Sequence, residues 1–313
     1  MEDYYIGIDV GGTKIEGALA SLNVTDHKIS VDAKKRISTT STTIEAFISS
    51  LLDLIHDLIA EAQLTPEKIK AIGIGLPGSL DPRTKIMMNG NTRFLIGHDV
   101  LSMLCSSLDS MIPVYAQNDA NLFTFAEAWG GAGLTFFKEK KIPFEEQVVV
   151  GITLGTGVGG GLVTLGKIFN GAHGSALEVG HIVLNPEGPL CYCGQRGCAE
   201  MYLSGTALNR LSDSKTLFEK AAAGDADSLQ VLADYRRDLL HFLSILNNLF
   251  NPHYFVFGGG LSSQELLFVD LKNDLRKHTF LPESFCPEIY VNHLGGSSGL
   301  FGAMIYAKEL LDA

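Results

Sequence analysis

Four short stretches of this 313-residue sequence gather side chains that could do chemistry. The densest is Cys191-Tyr192-Cys193-Gly194-Gln195-Arg196-Gly197-Cys198, with His181 ten residues upstream of Cys191. Three thiolates and one imidazole complete a tetrahedral set for Zn²⁺, and a site with four protein ligands is structural. Gly194 and Gly197 supply the turns that a compact chelate loop needs. Glu178 stands three residues before His181, and Glu200 two beyond Cys198. A loop pinned by a metal would hold both carboxylates where they can accept hydrogen bonds from ligand hydroxyls; the alternative is that both are ordinary surface glutamates.

Asp9-Val10-Gly11-Gly12-Thr13-Lys14 ends an apolar run with a carboxylate, two glycines and a hydroxyl. Backbone amides of such a turn approach phosphate closely. Asp9 would hold Mg²⁺ through water, because Mg²⁺ gives up its hydration reluctantly; an ordinary hairpin is the competing reading. Gly155-Thr156-Gly157-Val158-Gly159-Gly160 satisfies G-x-G-x-x-G. A dinucleotide fold needs a helix straight after the glycines, whereas Leu162 to Thr164 reads as strand. A second phosphate-binding hairpin fits better than a nicotinamide-dependent oxidoreductase. Gly258-Gly259-Gly260 is a third run, able to lie flat against a nucleotide. No Walker A sequence occurs. In Gln117-Asn118-Asp119-Ala120-Asn121, Asp119 ends one apolar segment and opens a helical one. A carboxylate at a strand's carboxyl end faces the ligand crevice of an α/β sheet, although Asp is also a common helix cap.

These residues need elements to position them. Tyr4 to Val10, Lys14 to Ala20 and Val31 to Ile37 read as strands. Ile44, Phe47, Leu51, Ile55 and Leu58 recur at helical spacing after threonine caps, and Ile69 to Leu76 returns as a strand ending in Pro77-Gly78. Gln147 to Gly166 carries no charge and is long enough to cross a membrane, but seven interspersed glycines favour two strands and a turn. A long helix with Leu232, Tyr235, Leu239, Phe242, Leu246 and Leu249 stops at Asn251-Pro252, before a strand from Tyr254 to Phe257. Two halves that each open strand, glycine turn, strand predict a duplicated α/β fold.

Hydrophobic residues make up 46% and charged residues 19%, enough for a sizeable core. A net charge of −11 argues against a nucleic-acid partner. The first residues, MEDYYIGIDVGG, lack the pattern of a signal peptide, and five cysteines, an odd count, argue against a disulfide framework. The expected location is the cytoplasm, with no membrane partner.

Taken together, DVGGTK, QNDAN, LGTGVGGG, EVGH, CYCGQRGCAE and FGGGLS occur in the order found in ROK (repressor, open reading frame, kinase) sugar kinases, and the chain resembles that family along nearly its whole length. The resemblance implies an actin-like, ribonuclease-H-like duplicated fold with a cleft between the domains. It implies a smaller domain of residues 1–117, joined by a C-terminal helix 298–313, and a larger one of 118–297 that carries the zinc loop 181–198. Asp9, Gly11, Gly12, Thr13 and Lys14 match the first phosphate motif, Gly155, Thr156 and Gly157 the second, and Gly258, Gly259 and Gly260 the adenosine motif. Asp119 matches the general base, with Asn118, Glu178, His181 and Glu200 on the sugar; Gly78 and Asn91 match more loosely. His181, Cys191, Cys193 and Cys198 match the zinc ligands. The implied reaction moves the γ-phosphate of ATP, with Mg²⁺, onto the 6-hydroxyl of a hexose or N-acetylhexosamine. IVLNPEGPL before the zinc loop resembles glucokinases and N-acetylmannosamine kinases, whereas NGNTRFLIG and SGTAL resemble fructokinases and N-acetylglucosamine kinases. Sugar-sensing repressors of the family carry a DNA-binding domain ahead of the first motif, which here begins at Asp9; the sensor is the alternative. Members are usually dimers or tetramers, so a homo-oligomer, a dimer, is expected.

Overall fold

A computed structural model describes residues 3–39, 42–90, 92–108, 111–211 and 213–312. The first part runs β1 (Tyr4–Val10), β2 (Lys14–Asn23), β3 (Lys28–Ser38), α1 (Ile44–Glu61), β4 (Ile69–Leu76), α2 (Val100–Ser107), β5 (Val114–Asn118) and α3 (Asp119–Gly130). The second runs α4 (Ala132–Lys140), β6 (Val149–Leu154), β7 (Val158–Thr164), β8 (Lys167–Ile168), α5 (Glu200–Leu203), α6 (Gly205–Leu211), α7 (Ser214–Ala222), α8 (Ala226–Phe250), β9 (Tyr254–Gly258), α9 (Leu271–Arg276) and β10 (Glu288–Val291). The last helix, α10 (Ser298–Asp312), packs with the first part.

The two sheets repeat one topology. The first has the order β3-β2-β1-β4-β5 and the second, read from its other edge, β8-β7-β6-β9-β10. In each, the first three strands form an antiparallel meander, and the fourth and fifth join in parallel. The charge-free stretch after Gln147 is thus a β-hairpin, and no helix among the described residues is long and apolar enough to cross a membrane.

The compact units are Met1–Gly131 with Phe169–Ala176 and Ser297–Ala313, and Ala132–Ile168 with Leu177–Gly296. The seam expected after residue 117 falls instead after Gly131, because α3 is packed into the first unit by α10. A Cβ on Gly302 of α10 would lie 2.0 Å from the Leu122 carbonyl oxygen of α3, so the two backbones touch. In the first unit, one sheet face presents Ile6, Ile8 and Val10 to α1, which buries Phe47, Leu51, Leu54 and Leu58. Each such side chain contributes roughly 1.5–3 kcal/mol when fully buried. Thr43 caps α1 by accepting from the Ala46 amide, as its position in the sequence suggested. The opposite face carries Tyr5, Ala18, Ala20 and Ala71 against Leu300, Met304 and Ala307 of α10. Gly7 and Gly73 let α10 lie on the strands, since a Cβ there would come within 2.3 Å of the Leu300 oxygen and 1.9 Å of the Ala303 oxygen.

In the second unit, β9 is buried along its whole length, as a strand with parallel neighbours on both sides should be. The long helix α8 starts on Asp225, which accepts from Ser228, and ends on Asn251 in the left-handed region at φ 43°, just before Pro252. Leu249, read as part of its apolar face, is 64% exposed because it lies at the margin of the buried stripe, whose members in that stretch are Leu246 and Asn247.

Candidate active site

In the first unit, parallel pairing brings Asp9 of β1 beside Gly75 of β4, and Leu76 beside Asn118 of β5. Asp9, Gly78 and Asp119 therefore emerge at one edge of the sheet, at the carboxyl ends of its parallel strands, where α/β sheets bind ligands. The Asp9 carboxylate is hemmed by two glycines: a Cβ on Gly75 or Gly299 would lie 3.3 or 3.4 Å from it. Burial raises its pKa to about 6, with Glu16 pushing the same way and Lys14 opposing both. The turn that follows is closed by Gly11 donating to the Lys14 carbonyl at 2.9 Å, and stapled by the Thr39 hydroxyl on the Gly11 carbonyl at 2.9 Å. Gly12, Thr13 and Lys14 are exposed on it.

Glu16, cross-strand partner of Asp9, is 5% exposed and was not singled out by the sequence. It sits among three cations: Lys34 at 2.9 Å, Arg36 at 3.2 Å and Lys14 at 3.9 Å. Burial would raise its pKa, but the hydrogen bonds and charges of Lys34 and Arg36 outweigh it and hold the carboxyl below its ordinary value.

The turn between β5 and α3 shows which residue caps the helix. The N-cap is Asn118, whose Oδ1 accepts from the amides of Ala120 and Asn121 at 3.0 and 3.2 Å, while its Nδ2 donates to the Gly78 carbonyl at 3.3 Å. Asp119 is the first helical residue, half-buried, with Oδ1 accepting from the Ala120 amide at 2.8 Å. Gly78 is required for close approach, because a Cβ would lie 2.1 Å from the Asn89 carbonyl oxygen. Asn91 lies outside the described residues.

In the second unit, Thr153 of β6 pairs with Gly258 of β9, so the two remaining glycine runs leave neighbouring strands at the same end. Gly259, at φ 82°, backs onto Leu154, whose carbonyl oxygen would lie 2.4 Å from a Cβ. Gly155 donates to Gly157 across its turn at 3.0 Å. Two residues of SGTAL, read from the sequence only as a family likeness, hold this turn from the start of α6: Gly205 donates to the Gly155 carbonyl at 2.7 Å, and the Thr206 hydroxyl to the Thr156 carbonyl at 2.7 Å. Glu200 reaches the same turn, its Oε2 accepting from the Val158 amide at 3.0 Å. The Glu178–His181 segment lies on β7, since a Cβ on Gly180 would be 2.2 Å from the Val158 carbonyl oxygen.

The ligand atoms of His181, Cys191, Cys193 and Cys198 all lie within 4.8 Å of one another. His181 Nδ1 is 3.6 Å from Cys191 Sγ, and Cys193 Sγ is 3.6 Å from Cys198 Sγ. Zinc bonds of about 2.3 Å to sulfur and 2.1 Å to nitrogen, arranged tetrahedrally, put ligands about 3.6–3.8 Å apart. The donor set therefore fits the ion in both chemistry and spacing. His181 Nε2 lies 3.1 Å from the Tyr192 hydroxyl, the outer contact that fixes a ligating imidazole. Gly194 and Gly197 have φ of 93° and 70°, as the chelate loop requires.

A cavity of about 860 Å³ along α8, lined by Leu229, Leu232, Leu240 and His241 among others, is also lined by Leu184 and Asn185 of the 181–198 loop, but by none of the glycine turns, Asp119 or the Cys/His cluster.

The ROK family profile matches residues 5–310. The chain belongs to the ROK family. Among curated ROK relatives, a glucokinase of Thermotoga maritima is 31% identical over 97% of each chain. An N-acetyl-D-glucosamine kinase of Aliivibrio salmonicida is 32% identical over 96% of this chain and 98% of its own. Among solved ROK structures, a hexokinase of Thermus thermophilus has 29% identity and a TM-score of 0.82, covering 99% of this chain and 100% of that one. A glucokinase of Streptomyces griseus, in complex with glucose and AMPPNP, has 28% identity and a TM-score of 0.76, covering 98% and 99%. The two five-stranded sheets with their helices are the actin-like, ribonuclease-H-like fold of this ROK group.

Proposed function

We propose that this ROK protein is an ATP-dependent sugar kinase that phosphorylates a hexose or N-acetylhexosamine at the 6-hydroxyl, with Asp119 as general base. The observation that carries the reading is the division of labour at the β5–α3 turn. Asn118 supplies the N-cap oxygen, so the Asp119 carboxylate, whose Oδ1 accepts from the Ala120 amide, is not needed as the cap. The kinase names of the full-length relatives support the reaction class.

The remaining residues take their parts from the same reading. Asp9 would hold Mg²⁺, which would supply charge neutralisation for the transferring phosphoryl group, and the amides of Gly11 to Thr13 and of Gly155 to Gly157 would each be donors for ATP phosphates. Gly258 to Gly260 lie against the adenosine. Asn118, Glu178 and Glu200 orient the sugar, with Gly78 beside it and Asn91 a further candidate on the family's pattern; His181 joins them through Nε2 where the Tyr192 hydroxyl gives that atom up. His181, Cys191, Cys193 and Cys198 hold a structural zinc that fixes the loop between Glu178 and Glu200. Asp119 accepts the hydroxyl proton as the O–P bond forms, a contribution of about 10²–10⁴-fold; positioning supplies much of the rest.

The test is a panel of glucose, fructose, mannose, N-acetylglucosamine and N-acetylmannosamine with Mg-ATP, following ADP release and locating the phosphate by NMR. The expected result is sugar-dependent ADP formation with at least one member and phosphate on C6. ADP release that no sugar stimulates would contradict the kinase reading.

A further inference from the structure

Gln117, the residue before the cap, is 8% exposed and uses all of its hydrogen-bonding capacity. Its Oε1 accepts from the Asn118 amide at 2.8 Å and from Asn121 Nδ2 at 3.2 Å. Its Nε2 donates to Asn170 Oδ1 at 2.8 Å and to the Tyr306 hydroxyl at 3.5 Å. One side chain thus ties the strand before Asp119 to the helix after it, and both to two distant segments. Asn121 is 2% exposed and its own Oδ1 has no partner, so its bond to Gln117 fixes the orientation of its amide.

Asn170 belongs to residues 169–176, which follow β8 of the second sheet yet pack within the first unit. One bond closes the segment on itself and one close approach fits it to the rest of the unit. The Ala176 amide donates to the Asn170 carbonyl at 3.2 Å, and Gly174, at φ 76°, fits where a Cβ would lie 2.4 Å from the Leu80 carbonyl oxygen. A fold needs only apolar packing at such a crossing. A buried amide with every polar atom bonded instead fixes one arrangement, because a half-satisfied alternative is costly at low dielectric.

We infer that Gln117 and Asn170 are positioning residues that fix the Asp119 carboxylate, an inference that rests on the reading of Asp119 as base. Neither is assigned to substrate. They act by holding the β5–α3 turn in register, and a displacement of about 1 Å at a reacting group costs on the order of 10²-fold in rate.

The experiment compares Asn170→Ala and Asn170→Asp with the unmodified protein, using the sugar and Mg-ATP at saturation and recording Tm. Alanine removes the acceptor for Gln117, whereas aspartate retains an oxygen there. Asn170→Ala should lower kcat by roughly ten- to a hundredfold, with KM for sugar and for ATP within about twofold. Asn170→Asp should recover kcat to within about threefold of the unmodified protein. Asn170→Ser, too short to reach Gln117, serves with the same expectation if the alanine variant does not fold. Unchanged kcat in the alanine and serine variants overturns the inference. So does a loss of kcat that tracks a fall in Tm and is not recovered by aspartate, the behaviour of a structural contact. Asp119→Asn, run alongside, separates the two failures. If it retains kcat, the reading of Asp119 fails; if it is inactive while Asn170→Ala is normal, only the positioning inference fails.

Discussion

Asp9 shows at the scale of one residue how a site opposes the stability of its own fold. An ordinary carboxyl titrates near 3.8, and burial with Glu16 nearby raises Asp9 to about 6. A raised carboxyl pKa favours folding while the group is protonated and works against it once ionised, each tenfold change in proton affinity being worth about 1.4 kcal/mol. Its effect on the ligand-free protein therefore worsens as pH rises from about 4 to about 6 and is constant above. Asp9→Asn should raise the Tm of ligand-free protein at pH 8, with a smaller gain at pH 5, while weakening Mg-ATP binding. Equal Tm values at pH 8 with unweakened Mg-ATP binding would remove Asp9 from the role proposed for it. At this scale the sequence was only partly legible. Asn118 and Asp119 are both good caps, and a one-residue shift in the helix start decides between them, which only the hydrogen bonds settle. Glu16 gave no signal because its burial depends on β1 and β3 flanking it. Gln117 stood inside a motif, but its partner Asn170 is 53 residues away.

Among the elements, the loop from His181 to Cys198 is the clearest unit of function. The clustering of His181, Cys191, Cys193 and Cys198 was legible because the residues and their glycine turns are local in sequence; the contact of Glu200 with the β6–β7 turn was not. A Cβ on Gly157 would lie 2.4 Å from Glu200 Oε2, so the residue that follows the chelate loop lies against the glycines of the β6–β7 turn. Metal analysis of native protein should give close to one zinc per chain, and Cys193→Ala close to none, with a Tm lower by several degrees. Native protein without zinc, or a Cys193→Ala variant as stable as the original, would remove the metal from the loop. The strands and helices with strong periodicity, such as Tyr4–Val10 and Ala226–Phe250, were read with little error. The short helices α5, α6, α7 and α9, of four to nine residues, were missed because so few turns carry no readable period. Residues 169–176 were missed because their packing is fixed by Gln117 and Leu80 rather than by their own sequence.

The whole molecule is one topology used twice, and each copy carries its own set of chemical groups. The first unit holds Asp9, the turn to Lys14, and Asp119; the second holds the other two glycine runs, Glu178, Glu200 and the Cys/His cluster. Duplication was legible because both halves open with strand, glycine turn, strand. The seam after Gly131 was not, because it depends on α10 returning from the chain's end to grip α3. Since Glu178, His181 and Glu200, three of the residues proposed for the sugar, belong to the second unit and the proposed base to the first, losing the base should leave much of the sugar binding in place. The decisive measurement is kcat for Asp119→Asn on the best sugar of the panel, paired with titration of that sugar in the absence of nucleotide. The account predicts sugar affinity within a few-fold of the unmodified protein and a kcat lower by about 10²–10⁴-fold. Near-normal kcat in that variant would contradict it.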